Sequence, residues 1–118
     1  MFIKDLKDCP EFIAGDFTVL RELLNPEKQK GLALKYSLAH ATLKSGESST
    51  PHTLTVSEVY FILEGTGAMH IDNETSEVFP GQAIYIPPKA KQFIRNTGKK
   101  ELKFLCIVDP AWKPEYEV

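Results

Sequence analysis

Apolar and polar residues alternate along much of the chain in short runs that Gly, Pro and Asn residues separate. In the range 32–43, Leu38 and His40 fall on the mainly apolar face of an extended chain, whereas Lys35 and Ser37 fall on the other face. Side chains two residues apart share one face of a β-strand, so this period predicts a strand. Apolar and β-branched runs predict further short strands over 17–24, 58–63, 68–71, 77–79, 83–86, 92–96 and 102–108. Many short strands with turn residues between them favour an antiparallel sandwich or barrel.

Two segments are less regular than the others. Residues 17–24 end in Arg-Glu-Leu-Leu, which also suits a helix, but Asn25-Pro26 ends the run early and favours a strand. Asp72-Asn73 lies between two predicted strands and marks a hairpin. Residues 110–118 follow the last predicted strand and are interpreted as a tail.

The range 58–63 differs from the other predicted strands because both of its faces are apolar. Tyr60 and Ile62 share one face, and Val59, Phe61 and Leu63 share the other. A strand that is apolar on both faces is usually buried on both. In a small barrel, one face packs inside and the other needs a cover, so the pattern predicts a homodimer.

Two glycine-bounded half-motifs, at 46–65 and 81–96, carry most of the chain's candidate chemistry. The first contains Gly46, His52, Glu58 and Gly65, and the second contains Gly81, Pro87 and Asn96. Each combines a turn, a polar side chain at a ligand-like position and a run of β-branched or aromatic residues.

The spacing of this motif pair resembles that of the cupin superfamily, although three signature positions differ. Leu54 stands where the family has its second His, Lys89 replaces a Gly, and Gln92 replaces the last His. The resemblance implies an all-β fold, an antiparallel cupin barrel of the double-stranded β-helix or jelly-roll type. It also implies an interior metal site, because the family holds one metal ion with its two motif His residues, its Glu and its last His.

The residues that match this ligand set are His52, Glu58 and Gln92. An imidazole and a carboxylate are good metal ligands, but a neutral amide is a poorer one, and Gln92 equally suits a hydrogen-bonding role in a pocket. The set is not that of a structural zinc site, and it lacks one His of the two-His-one-carboxylate iron site. A divalent transition metal (Mn, Fe, Ni or Zn) would therefore need water or substrate to complete its shell. Without a metal, Glu58 and His52 form a candidate acid–base pair.

Other side chains are expected to line the same interior. They share the alternating faces of the motif strands or of the strands predicted beside them: Leu54, Tyr60, Ile62, Phe104, Cys106 and His40. Leu54 lies two residues after His52 and makes the predicted site drier. His40 has two open interpretations, a hydrogen-bonded core histidine or the missing imidazole ligand.

Length and composition exclude several classes of protein. With 118 residues, the chain fits one domain, expected over 1–118. Its net charge of −2 gives no electrostatic footprint of a nucleic-acid binder, and no apolar run is long enough for a membrane span. The charged N-terminal residues lack the apolar core of a signal peptide, so the expected location is the cytoplasm. Cys9 and Cys106 make no disulfide framework and are interpreted as thiols.

Three functional hypotheses follow for the interior of the barrel. The first is a metal-dependent enzyme that acts on a small polar metabolite, such as a sugar or an organic acid. The second is a metal-free protein that binds a small molecule as a sensor or carrier. The third is a metal-free acid–base catalyst that uses Glu58 and His52.

Overall fold

The computed structural model describes all residues from 1 to 118, which form ten β-strands and two short 3₁₀ turns. The strands are β1 (Phe12–Ile13), β2 (Val19–Leu24), β3 (Ser37–Leu43), β4 (His52–Thr53), β5 (Ser57–Glu64), β6 (Gly67–Ile71), β7 (Glu74–Val78), β8 (Ala83–Ile86), β9 (Lys91–Asn96) and β10 (Leu102–Asp109). The turns span Leu6–Asp8 and Pro114–Tyr116. No helix is long and apolar enough to cross a membrane.

The strands form two sheets, and every neighbouring pair is antiparallel. The six-stranded sheet has the order β1-β2-β3-β10-β5-β8, and the four-stranded sheet has the order β4-β9-β6-β7. This all-β architecture confirms the predicted fold class. Residues 17–24 form a strand from Val19 onward, as favoured over a helix. The hairpin at Asp72 joins β6 to β7, and Asp72 adopts the positive φ of 51° that such a tight turn requires.

Side chains from β3, β5 and β10 that point between the sheets are stacked in layers. Ile62 lies opposite Phe104, which lies opposite Ala41, and all three are fully buried. Burial of a Phe or Ile side chain contributes about 1.5–3 kcal/mol. This layer therefore forms the centre of the hydrophobic core.

The next two layers toward one end of the barrel are narrower or more polar. Tyr60, Cys106 and Ala39 form the first of them, and Glu58, Val108 and Ser37 form the second. Both β3 positions carry small side chains, and in the outermost layer β5 carries the carboxylate of Glu58. The small residues leave space between the sheets at this end, and that space becomes a cavity.

Several motif residues have structural roles. Gly65 has a φ of 83°, and a Cβ at this position would lie 2.6 Å from the backbone oxygen of Glu101, so only glycine fits. The buried amide of Asn96 donates from Nδ2 to the carbonyl oxygens of Leu43 and Lys100, and its Oδ1 accepts from the Gly98 N–H. These residues fix the loops at the end of the barrel opposite the cavity.

The outer face of β5 is open to solvent. Phe61 and Leu63 are 36% and 38% exposed, and Val59 is partly buried. The homodimer predicted from this face stays a prediction.

Candidate functional site

A cavity of about 280 Å³ lies between the sheets at the end of the barrel that Glu58 and Tyr60 occupy. Cavities that bind small ligands are commonly about 300–1,000 Å³, so this one suits a small molecule. His52, Leu54 and Cys106 also line it. Ser37 and Ala39 line it as well, and these short inward side chains of β3 leave space between the sheets.

A chain of hydrogen bonds holds the carboxylate of Glu58. The Tyr60 hydroxyl donates to Gln92 Oε1 at 3.0 Å, and Gln92 Nε2 donates to Glu58 Oε1 at 2.7 Å. All three side chains are buried, with exposures of 2%, 0% and 7% for Tyr60, Gln92 and Glu58. The chain of bonds fixes the orientation of the Gln92 amide and anchors one oxygen of Glu58.

The second oxygen of Glu58, Oε2, accepts no hydrogen bond from the protein. No buried side-chain nitrogen or oxygen in the structure lacks a partner, so Oε2 is not sealed in the core. Because Glu58 lines the cavity, this oxygen faces its open space. It is therefore the atom that a ligand meets first on this side chain.

Burial raises the pKa of Glu58 from 4.5 to about 7, since a charged carboxylate is poorly solvated between the sheets. The hydrogen bond from Gln92 and the charge of His52 lower this pKa, whereas the nearby carboxylates of Asp16 and Glu117 raise it. Burial also raises the pKa of the Tyr60 hydroxyl and of the Cys106 thiol well above their usual values. Of these three side chains, Glu58 is therefore the one that changes its charge near neutral pH.

His52 enters the site from β4, where its Cα pairs with that of Gln92. Its Nδ1 lies 3.0 Å from the Thr50 carbonyl oxygen and 3.7 Å from Asp16 Oδ2. A carbonyl oxygen only accepts, so this bond places a proton on Nδ1. When the imidazole carries no second proton, Nε2 is an acceptor.

The structure brings His52, Glu58 and Gln92 together, but Gln92 does not line the cavity. It is fully buried behind Glu58 and Tyr60, and both ends of its amide are occupied by those two side chains. Ile62 and Phe104 also lie deeper than predicted, in the core layer below the cavity. Only the inward residues nearest this end of each strand line the cavity. A sequence pattern shows which residues point inward but not how many of them reach the cavity.

The placement of His40 on the interior face of its strand is wrong. In β3, Ser37, Ala39, Ala41 and Leu43 point inward, and His40 points to the outer surface, where it lies beside Arg21 and Lys103. Burial and those two cations lower the pKa of its imidazole. The apolar residues at positions 34, 36 and 38 made the face that carries His40 look like the interior one. The true interior face carries mostly small side chains and therefore looks less apolar in the sequence.

Three site residues come from segments that carried no catalytic or binding signal in the sequence analysis. Asp16 lies in the turn before β2, and Trp112 and Glu117 lie in the segment interpreted as a tail. This tail pairs with the chain after β4: the Thr55 N–H donates to the Tyr116 carbonyl, and the Val118 N–H donates to the Thr53 carbonyl. It therefore forms part of the cavity wall.

The residues present do not fit the metal ion that the motif resemblance implies. Leu54 offers no ligand atom, and Gln92 Oε1 already accepts from Tyr60. No three His, Cys, Asp or Glu side chains lie close enough together to hold a metal ion. His52 and Glu58 alone make an incomplete shell for a transition metal.

Comparisons with known proteins agree with the architecture. A family model described as a cupin domain matches residues 39–108. The chain is 44% identical over 105 residues to an uncharacterised protein of Methanocaldococcus jannaschii. The aligned region covers 88% of this chain and 82% of the relative.

Solved structures are similar in fold. A cupin 2 conserved barrel domain protein from Salinispora arenicola has a TM-score of 0.80 at 15% identity, over 98% of this chain and 92% of that one. A predicted oxalate decarboxylase from Thermotoga maritima has a TM-score of 0.80 at 20% identity, over 92% of this chain and 99% of that one. At these identities the likeness concerns the fold alone.

Proposed function

This chain belongs to the cupin family, whose model matches more than half of it, and on that premise we propose that its barrel binds a small polar metabolite and that Glu58 exchanges a proton with it. The main support for this proposal is the environment of the two oxygens of the Glu58 carboxylate. One oxygen is anchored by Gln92, and the other faces the cavity without a protein partner.

This geometry suits general acid–base chemistry. A proton-transfer group works best when its pKa lies near the working pH, and the pKa of Glu58 is raised to about 7. Gln92 donates to Oε1, so the exchangeable proton resides on Oε2, on the cavity side. The Nδ1 proton of His52 is directed to Thr50, so in the neutral imidazole Nε2 is a second acceptor. The pair can thus remove a proton from a bound molecule or return one to it.

Many cupins bind metal ions, whereas the proton exchange proposed for Glu58 needs none. A metal-dependent reaction would need ligands that Leu54 and Gln92 do not supply here. The four groups that contact or support the ligand are Glu58, His52, Gln92 and Tyr60. Gln92 is a positioning residue, because it acts on the ligand through Glu58. Tyr60 orients Gln92 and also lines the cavity.

A binding screen with a cavity-filling variant tests the proposal. Small sugars, organic acids and amines are screened by thermal shift against the wild type and against Ala39→Leu, which adds bulk inside the cavity layer. Thr42→Leu adds bulk to the outer face of the same strand and serves as the matched control. We expect compounds that stabilise the wild type and Thr42→Leu, and we expect Ala39→Leu to lose that stabilisation while it remains folded by circular dichroism.

Proton exchange is measured on any compound that binds. Calorimetry at pH 7 in two buffers of different ionisation enthalpy counts the protons taken up or released on binding. The wild type should exchange a substantial fraction of one proton, and Glu58→Gln should exchange almost none. An equal count in both proteins would assign the proton to another group and refute the role of Glu58.

We also propose that the protein is a homodimer through the outer face of the six-stranded sheet. Phe61 and Leu63 are solvent-exposed there, and Leu105 and Ile107 lie on the neighbouring strand of the same face. Contiguous apolar patches on soluble proteins commonly mark interaction sites.

Light scattering at micromolar concentration should therefore give the mass of a dimer. The double variant Phe61→Asp/Leu63→Asp should give a monomer, because it places charges in the apolar interface. Thr75→Asp, on an exposed position of the other sheet, should remain dimeric. A monomeric wild type would contradict the proposal.

A further inference from the structure

The charges around the cavity are strongly unbalanced. Four acidic side chains line it (Asp16, Glu22, Glu58 and Glu117), against Lys28 and the imidazole of His52. Lys28 is already paired, since its Nζ lies 2.8 Å from Glu22 Oε1 and 5.6 Å from the centre of the Trp112 ring. The other three carboxylates have no lysine or arginine partner.

These three carboxylates share one arrangement: one oxygen is anchored and the other is free. Asp16 Oδ1 accepts from the Thr18 N–H and hydroxyl, Glu117 Oε1 accepts from Trp112 Nε1 at 3.2 Å, and Glu58 Oε1 accepts from Gln92. No hydrogen bond from the protein reaches Asp16 Oδ2, Glu58 Oε2 or Glu117 Oε2. His52 Nδ1 lies 3.7 Å from Asp16 Oδ2, beyond hydrogen-bond distance. The anchored oxygens hold these cavity-lining side chains in place, and the free oxygens remain available as acceptors. Glu58 is buried, Asp16 is partly buried and Glu117 is exposed.

Glu58 separates this arrangement from a surface cluster of acids. It is 7% exposed, and a buried carboxylate without a cation is costly. The neighbouring charges of Asp16 and Glu117 add to that cost, as their effect on the pKa of Glu58 shows. A metal ion does not relieve it, since no three such ligands converge on one point. A larger cation with several N–H donors can bond to more than one of the free oxygens.

We propose that the ligand of this cavity is a small organic cation, an ammonium or guanidinium compound whose N–H groups bind the free oxygens of Asp16, Glu58 and Glu117. The inference rests on the proposed function, because it names the charge class of the metabolite that the barrel binds. Charge-assisted N–H···O hydrogen bonds are about twice as strong as neutral ones, and a guanidinium offers its donors in a planar fork. Trp112 and Tyr60 add aromatic surface to the same cavity. An organic acid, by contrast, would meet like charges.

A pair of isosteric probes tests the charge. Butylguanidinium and butylurea have nearly the same shape, and both carry N–H donors, but only the first is charged. Titration calorimetry at pH 8 should show that butylguanidinium binds at least about tenfold more tightly than butylurea. Choline, which carries a charge but no N–H, should bind more weakly than butylguanidinium.

Two variants test the residues. Asp16→Asn and Glu117→Gln keep the anchoring oxygen and remove the charge, so each should weaken butylguanidinium binding at least about fivefold and leave butylurea binding unchanged. Glu64→Gln, an exposed position on β5 outside the cavity, should change neither. Each variant is checked for its fold by circular dichroism.

The outcomes separate the two proposals. Equal affinities for both probes, or an unchanged affinity in Asp16→Asn and Glu117→Gln, would overturn the cationic ligand and leave the binding function standing. So would a sugar that binds this cavity when neither probe does. If no compound of any charge binds, both proposals fail. Equal binding of choline and butylguanidinium would overturn the role of the N–H groups.

Discussion

Between pH 5 and pH 8, the free energy of unfolding of the wild type should fall by about 2–3 kcal/mol relative to that of Glu58→Gln. The pKa of Glu58 is about 7 in the folded protein and 4.5 without the fold. The folded state therefore holds this proton more tightly than the unfolded state does. Below pH 4.5 Glu58 is protonated in both states and does not lower the free energy of unfolding. As the pH rises from 4.5 through 7, the unfolded state loses this proton first and the folded protein must then hold a buried charge, so the free energy of unfolding falls. At about 1.36 kcal/mol per pKa unit, the total loss is about 3 kcal/mol.

Chemical denaturation of both proteins at pH 5 and pH 8 measures this effect. Gln keeps the shape of the side chain and an acceptor for the Gln92 amide, but it does not ionise, so the intrinsic effect of the substitution cancels in the comparison of the two pH values. At pH 8 the variant should be the more stable protein. Glu64→Gln controls for the general loss of a negative charge, because Glu64 is exposed. A stability difference that stays constant between the two pH values would show that Glu58 is not a strained carboxylate.

The double variant Leu54→His/Gln92→His should bind nickel or zinc at least about a hundredfold more tightly than the wild type. Leu54 lines the cavity two residues after His52, and Gln92 lies opposite His52 on β9 and beside Glu58. Two imidazoles at these positions would join His52 and Glu58 around one point. Each adds a nitrogen ligand of the type that first-row transition metals prefer, worth about tenfold or more.

The gain has a cost in the metal-free protein. Leu54 is buried, and Gln92 bonds to both Tyr60 and Glu58, so the metal-free double variant should be less stable than the wild type. Metal should then raise its melting temperature much more than that of the wild type. Titration calorimetry on the wild type, both single variants and the double variant gives the four affinities. If the double variant stays folded and binds no more tightly than the wild type, positions 54 and 92 do not share a site with His52.

Local patterns in the sequence were sufficient for the strands and for the family. Period-two alternation, short apolar runs and turn residues predicted nearly every strand of the two sheets. The spacing of Gly46, His52, Glu58 and Gly65 resembled that of the cupin superfamily, and this resemblance implied the barrel. The same alternation placed Glu58, Tyr60 and Cys106 on inward faces, since the side chains of a strand change face at every residue.

Only the tertiary structure decided which inward residues form the core and which meet the cavity. Ile62 and Tyr60 share a face, yet Ile62 lies in the core and Tyr60 lines the cavity. The difference arises because a distant strand places its small side chains, Ser37 and Ala39, in the layers of Glu58 and Tyr60. Gln92 was interpreted as a ligand, and its position behind Glu58 follows from pairing between strands far apart in sequence. Asp16 and Glu117 lie near the two ends of the chain. The turn before β2, whose Asp16 carbonyl accepts from the Thr50 N–H, and the pairing of the tail with Thr53 and Thr55 bring them to the same cavity as Glu58. Local patterns in the sequence therefore determined the fold and the inward position of Glu58. Long-range packing determined which other charged side chains surround Glu58 and what shape the cavity has.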